Sequence, residues 1–211
     1  IKMHKVPLNE HFFDEESKAM WYVLGVSFSR YSPSRTDSRN SWCSSSYDLL
    51  KIVQSCLETE QTISDPTERG SRHFQVRSQY LQDVLIERGL VPDRVERKFP
   101  EGIKCEYIDH FIRGFFDAHV SCSTTTKSND SGQPEHITRK LQVYFNVPFL
   151  IGLYHALILN AKVKSGREVT QSPLNFYGND VMAIHDFMYQ DWEFIQQNRL
   201  YVPSEKAKFR F

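Results

Sequence analysis

The sequence predicts a mixed α/β (α+β) protein made of two similar halves that a central pair of helices joins. Three observations predict this fold class. An apolar, helix-like segment occurs twice, in residues 21–30 and 111–119. Each copy contains one internal glycine, Gly25 or Gly114. Each copy is then followed by its own series of strand-like and helix-like segments.

The two glycines indicate that the repeated helices touch each other. They lie 89 residues apart, close to half of the 211-residue chain. Glycine inside a helix costs about 1 kcal/mol relative to alanine, so its presence needs a compensating gain. Contact between two helix backbones provides that gain, because a side chain would hold the helices apart. We therefore expect Gly25 and Gly114 at a helix interface, between a first half in residues 1–104 and a second half in residues 105–211.

The rest of the first half alternates between strands and helices. The serine-rich stretch 32–46 is compatible with strands and a loop, although its composition alone is also typical of a linker. Asp48 is a plausible N-cap for a helix with apolar residues at helical spacing. Residues 73–77 alternate between apolar and polar side chains, as a half-buried strand does. Ser78 then caps a helix that ends at Gly89.

The second half repeats the same order of elements. Its Ser/Thr-rich part contains a turn signal in residues 129–132, which predicts the tip of a hairpin. The elements that follow are a strand in 140–145, a helix from Pro148 to about Asn160, a strand in 174–177 and a final helix capped by Asn179 or Asp180. Each half is thus expected to be αββαββα-like, and the two antiparallel sheets are expected to form one concave saddle.

Composition sets limits on the class of protein. Hydrophobic residues make up 40% of the chain, enough for a sizeable core. An uninterrupted apolar run of about 18 residues does not occur, so we expect no membrane span. The four cysteines show neither a CxxC pair nor zinc spacing, which is typical of reduced thiols in an intracellular protein.

The formal net charge is zero, but basic residues cluster locally. Residues 29–46, 161–168 and 204–211 each hold an excess of Lys and Arg. A basic face can coexist with an acidic back, which would suit a nucleic-acid partner. The alternative is charge scattered over a solvated surface.

The repeated segments, WYVLGVSFSR and FIRGFFDAH, resemble the paired motifs of LAGLIDADG homing endonucleases and their maturase relatives. Similar flanking features occur in order in residues 80–92, 149–153 and 184–189. The resemblance covers most of the chain. It implies two pseudosymmetric halves whose sheets lie along a nucleic acid.

The chain departs from this family where cleavage would occur. In active members each motif helix ends in an acidic residue that binds a divalent metal between the halves. The matching positions here are Arg30 and His119, while Asp117 matches an earlier aspartate of the motif that is not the usual metal ligand. Mg²⁺ beside a scissile phosphate needs hard oxygen ligands. We therefore expect no metal site, no cofactor and no endonuclease activity.

The resemblance also implies which residues touch a ligand. Arg30 and His119, at the former metal centre, either meet a phosphate directly or are inert replacements. Trp42, Tyr47 or His136 are candidates for stacking on unpaired bases, although core packing is the alternative for Trp42. Outward positions expected to contact phosphates are Arg35, Arg39, Arg77, Lys127, Arg139, Lys140, Lys162 and Lys164.

The sequence thus predicts a catalytically inactive protein that binds structured RNA, as a ribosomal component or a maturase-like splicing factor with protein neighbours. The frequency of the family in organellar genomes suggests a mitochondrion or another organelle. Three alternatives stay open: a DNA-binding regulator, a residual endonuclease that relies on Asp37 and Asp117, and a protein-binding scaffold.

Overall fold

The computed structural model describes residues 6–127, 136–164 and 166–209, with side chains given for all of these except 124–127 and 136–138. The hairpin tip expected at 129–132 lies outside the described residues. The first half contains α1 (Lys18–Arg30), β1 (Tyr31–Pro33), β2 (Arg39–Ser44), α2 (Tyr47–Cys56), β3 (Arg72–Arg77) and α3 (Gln79–Glu87). The second contains α4 (Ile108–His119), β4 (Val120–Lys127), β5 (His136–Val143), α5 (Val147–Ala161), β6 (Leu174–Tyr177), α6 (Asn179–Met188), α7 (Trp192–Gln197) and α8 (Pro203–Ala207).

The two halves share one topology, as the repeat predicts. Each half has a three-stranded antiparallel sheet, in the order β1-β2-β3 or β4-β5-β6, and helices cover one side of it. The mixed α/β class and the paired halves are therefore confirmed, and the boundary at residues 104–105 stays a prediction. None of the helices in the described ranges combines the length and apolarity that a bilayer crossing needs.

Within the described ranges each half has three strands, where an αββαββα unit has four. In the first half, the segment in the place of the fourth strand lies beside β3. The Ser64 N–H donates to the His73 carbonyl over 2.8 Å, while the His73 N–H donates to the Ser64 hydroxyl over 2.9 Å. A side chain thus replaces a backbone acceptor, which interrupts the regular ladder.

Side-chain caps begin helices α1, α2, α3 and α5. The hydroxyl of Ser78 accepts the Leu81 N–H over 3.1 Å, as expected from the sequence. Helix α2, however, is capped by Ser46 and not by Asp48, which lies in its first turn. The expected cap of α6 is also wrong: Gly178 precedes the helix with φ of 54°.

The central helix pair has a backbone contact at its glycines. A Cβ atom added to Gly25 would lie 2.1 Å from the carbonyl oxygen of Phe111, and one added to Gly114 would lie 2.0 Å from that of Tyr22. Aromatic rings fill the space around this crossing. The rings of Phe28 and Phe111 meet edge to face at 5.3 Å, and a single hydrophobic core extends through both halves.

Candidate functional site

The C-terminal ends of α1 and α4 meet between the two sheets. Arg30, the last residue of α1, donates from Nε to the Ala118 carbonyl near the end of α4 over 2.6 Å, and its Nη2 also donates to this oxygen. That carbonyl belongs to the negative end of the α4 dipole, so Arg30 of the first half caps a helix of the second. Burial, with a contribution from Arg94, lowers the pKa of Arg30.

His119, the last residue of α4, lies at the same centre. Its Nε2–H donates to the backbone carbonyl of Tyr144, and its ring packs against Phe115 and Phe145. Burial lowers the pKa of His119, and the nearby cations Arg30 and Arg94 act in the same direction. The imidazole is therefore neutral at neutral pH, and it fixes the backbone that follows β5.

Two arginines complete this centre, and the sequence analysis missed both. Exposed Arg94 donates to the Ser32 hydroxyl over 3.2 Å. Arg97 is fully buried and donates to the carbonyls of Phe28 and Tyr31, over 2.7 and 3.0 Å, at the end of α1. Burial lowers the pKa of Arg97 to about 10, which leaves it charged. Their segment, residues 93–99, mixes acidic and basic residues and carries no sequence pattern that would indicate either arginine.

The carboxylates considered for metal binding are engaged elsewhere. Asp117 is buried and accepts hydrogen bonds at Oδ2 from the Tyr22 hydroxyl, over 2.7 Å, and the Val202 N–H, over 3.3 Å. Asp37 is paired with Arg39 over 2.7 Å in the loop between β1 and β2. Within the described ranges, three or more His, Cys, Asp or Glu side chains nowhere gather as a metal site would require.

The first sheet turns a polar face away from its helices. Trp42 and Phe74 point inward and are buried, whereas Arg39 on β2 faces outward directly opposite Arg77 on β3. Like charges placed opposite one another destabilise a sheet. Asp37 offsets part of this repulsion, and an anionic ligand would offset the rest. Exposed Arg35 lies in the adjacent β1–β2 loop.

The second sheet also has an open face, on which the described side chains include fewer cations than expected. Lys140 on β5 lies on it, opposite Tyr177 on β6. Since successive side chains alternate, Arg139 lies on the other face, with buried Leu141 and Val143. The expectation that Arg139 and Lys140 share a face is therefore wrong.

The other predicted cations of this half lie off the strands. Lys162 directly follows α5 in a left-handed conformation, and Lys164 donates its backbone N–H to Asp180 over 3.2 Å. Both belong to the loop before β6, so their expected placement on strands is wrong. Lys127 ends β4 opposite His136, but the side chains of this pair are outside the described set.

The predicted stacking residues are replaced by others. Trp42 is a core residue whose Nε1–H donates to Ser27 over 2.9 Å. Tyr47 is exposed but lies at the start of α2, 5.5 Å from the guanidinium of Arg72 on the helix-covered side of the sheet. Tyr177 is instead exposed on the open face of the second sheet, and exposed Tyr144 directly follows β5, where continuing the strand alternation by one residue predicts the same face. The alternation of strand residues could have identified both tyrosines.

Comparisons with known proteins identify the fold. No protein-family model matches the chain, and no curated protein matches it in sequence. Solved structures match nearly its whole length. The LAGLIDADG meganuclease I-CpaMI, bound to uncleaved DNA, has a TM-score of 0.57 at 12% identity, over 92% of this chain and 96% of that chain.

Two further structures agree. The meganuclease I-SmaMI, bound to uncleaveable DNA, matches with a TM-score of 0.56 and 10% identity over 89% of this chain and 87% of its own. The LAGLIDADG homing endonuclease I-LtrWI, bound to target DNA, matches with a TM-score of 0.54 and 10% identity over 91% and 95%. At these identities the likeness shows the fold alone. The fold predicted from the repeated motif helices is confirmed.

Proposed function

We propose that this protein of LAGLIDADG fold binds nucleic acid along the open faces of its two sheets and does not cleave it. The observation that carries the proposal is the arginine between the helix ends. Arg30 occupies the position of a metal-binding acid in the family that the sequence resembles, and it donates to the Ala118 carbonyl. The solved neighbours are described as bound to DNA, which supports a nucleic-acid ligand for the same surface.

The charges at the centre argue against cleavage. A divalent cation between the helix ends would meet Arg30 and Arg94, and the neutral ring of His119 is a poor ligand for Mg²⁺. Asp117 accepts two hydrogen bonds inside the core and does not face this centre. The same cations would instead attract a phosphate of the nucleic-acid backbone.

We propose structured RNA, ribosomal or intronic, as the ligand. A protein that holds a nucleic acid without cutting it suits a stable ribonucleoprotein. A net charge of zero suits a component that protein neighbours also hold in place. The family resemblance favours a mitochondrion or another organelle as its location. A DNA-binding regulator is the second candidate, because the structural neighbours are DNA complexes.

The test measures affinity for a folded RNA and a DNA duplex over a range of salt concentrations. Each phosphate contact contributes about 0.7–0.9 to the slope of log K against log salt. Replacing Arg39 and Arg77 with glutamine together should therefore reduce the slope by about 1.4–1.8. The matched control replaces Lys162 and Lys164, which lie off the strands, and should leave the slope unchanged.

The other outcomes separate the alternatives. A preference for one duplex DNA sequence would favour the regulator, and the absence of salt-dependent binding would favour the scaffold. Mg²⁺-dependent nicking of plasmid DNA that Asp117→Asn abolishes would establish an endonuclease. Ultraviolet crosslinking in the native source, followed by sequencing of the attached RNA, would distinguish a ribosomal component from a splicing factor.

A further inference from the structure

The second sheet has one exposed tyrosine on its open face and a second directly after β5, where the strand alternation predicts the same face. Tyr144 directly follows β5 and Tyr177 ends β6, and each is 49% exposed. The Lys140 ammonium lies 5.9 Å from the centroid of the Tyr177 ring, and Lys140 is paired in register with this tyrosine. A cation is thus held beside an accessible aromatic ring, which combines a phosphate contact with a surface for a base.

A pair of amides lies between the two tyrosines. Gln142 is opposite Asn175, and its Nε2 donates to the Asn175 Oδ1 over 3.0 Å. Tyr144 is four residues beyond Lys140, so the two tyrosines are separated by about 13 Å along the strand direction. That spacing leaves room for polar side chains to contact a base edge between the stacking positions.

The backbone of Tyr144 is fixed by the central site. Its carbonyl accepts the hydrogen bond from His119, at the end of α4. Tyr144 is thereby anchored next to the place where Arg30 caps the same helix. The row of open-face side chains consequently runs from the central cations to the end of β6.

The open face of the first sheet has different chemistry. Its outward side chains on β2 and β3 are Arg39, Ser41, Cys43, His73, Gln75 and Arg77. These outward positions include two arginines but no Tyr, Trp or Phe. The first sheet is therefore suited to backbone phosphates, and the second to exposed base faces.

We propose that the second sheet binds unpaired bases by stacking them on Tyr144 and Tyr177, with Lys140 on the adjoining phosphate. This inference rests on the proposed function and narrows its ligand to a nucleic acid with a single-stranded segment. Bases within a duplex have both faces covered by their neighbours and cannot stack on these rings. This stacking platform, formed by Tyr144, Tyr177 and Lys140, therefore favours the loops and junctions of a folded RNA over a continuous helix.

The test compares a labelled single-stranded RNA of about 12 nucleotides with an RNA duplex of similar length, using the full chain and fluorescence anisotropy. Tyr144→Leu and Tyr177→Leu should each weaken single-strand binding on the order of tenfold. Both variants should leave duplex binding within about twofold, since they remove no charge. Tyr47→Leu is the matched control, because Tyr47 is similarly exposed, at 46%, but lies on the helix-covered side.

Thermal unfolding verifies that the variants are folded, and photocrosslinking with 4-thiouridine should label peptides that contain Tyr144 or Tyr177. Unchanged affinity for the single-stranded RNA in both folded variants would overturn the proposal that Tyr144 and Tyr177 stack on bases. An equal loss of affinity for the single-stranded RNA and for the duplex would overturn it as well. If those results accompany tight, salt-dependent binding by the unmodified protein, only this inference fails. If the unmodified protein binds neither probe, the proposed function fails with it.

Discussion

Replacing Gly114 with alanine tests whether close backbone contact holds the two halves together. The added Cβ would lie 2.0 Å from the carbonyl oxygen of Tyr22 and 3.1 Å from the backbone nitrogen of Val26. Ordinary contact requires about 3.4 Å, so α1 and α4 would have to separate by more than 1 Å. Neither backbone can rotate away, which places the cost near the upper end of the roughly 1–3 kcal/mol range for overpacking.

The gain in helix propensity offsets part of that cost. Alanine is favoured over glycine in a helix by about 1 kcal/mol, so the expected net loss in free energy of unfolding is about 2 kcal/mol. For a chain of this length, that corresponds to a fall in Tm of about 4–8 °C, measurable by calorimetry and urea unfolding.

Gly152 in α5 supplies the control for this experiment. A Cβ at Gly152 would lie 2.4 Å from the Cβ of Phe99, and its three nearest atoms belong to this one side chain and not to the backbone of a packed helix. Gly152→Ala should therefore cost less than Gly114→Ala. A rise in Tm for Gly114→Ala, as at an ordinary exposed helix glycine, would refute the close crossing.

Two further predictions concern buried charged groups. Arg97→Met leaves the carbonyls of Phe28 and Tyr31 without their hydrogen-bond donor. This substitution should lower the free energy of unfolding by about 3 kcal/mol, and an unchanged urea midpoint would contradict the prediction. Burial raises the pKa of Asp117 to about 7, well above its value in the unfolded chain. The contribution of this carboxyl to the free energy of unfolding is therefore complete below about pH 4 and is lost as the pH rises to about 7. Asp117→Asn, which does not titrate, should flatten this decline in urea midpoints between about pH 4 and pH 7, and an unaltered pH profile would contradict it.

The sequence predicts the elements that depend on local chemistry. The paired glycines indicate the helix crossing because few other contacts justify two unfavourable residues at matching positions. Strands such as β6 were recognisable because their alternation reflects one buried and one open face. Ser78 was recognisable because a hydroxyl directly before a helix satisfies one of its unpaired N–H groups.

The residues that were missed depend on contacts between distant segments. Arg97 is a core residue only because its loop lies under the end of α1, about 70 positions earlier in the chain. The opposite directions of Arg139 and Lys140 follow from the register with β6, in which Lys140 is paired with Tyr177. Counting basic residues within a window loses this information, since neighbours in a strand point to opposite faces.

Three arginines donate hydrogen bonds to the ends of helices. Arg30 donates to a carbonyl near the end of α4, Arg97 to carbonyls at the end of α1, and Arg113 to the Met188 carbonyl at the end of α6. Each guanidinium supplies donors to acceptors that a helix terminus leaves unpaired, and its charge complements the helix dipole. In the family that the sequence resembles, acids at the positions of Arg30 and His119 bind a metal between the halves. Here the Arg30 guanidinium supplies a positive charge at this position and joins the end of α1 to the end of α4 through the Ala118 carbonyl.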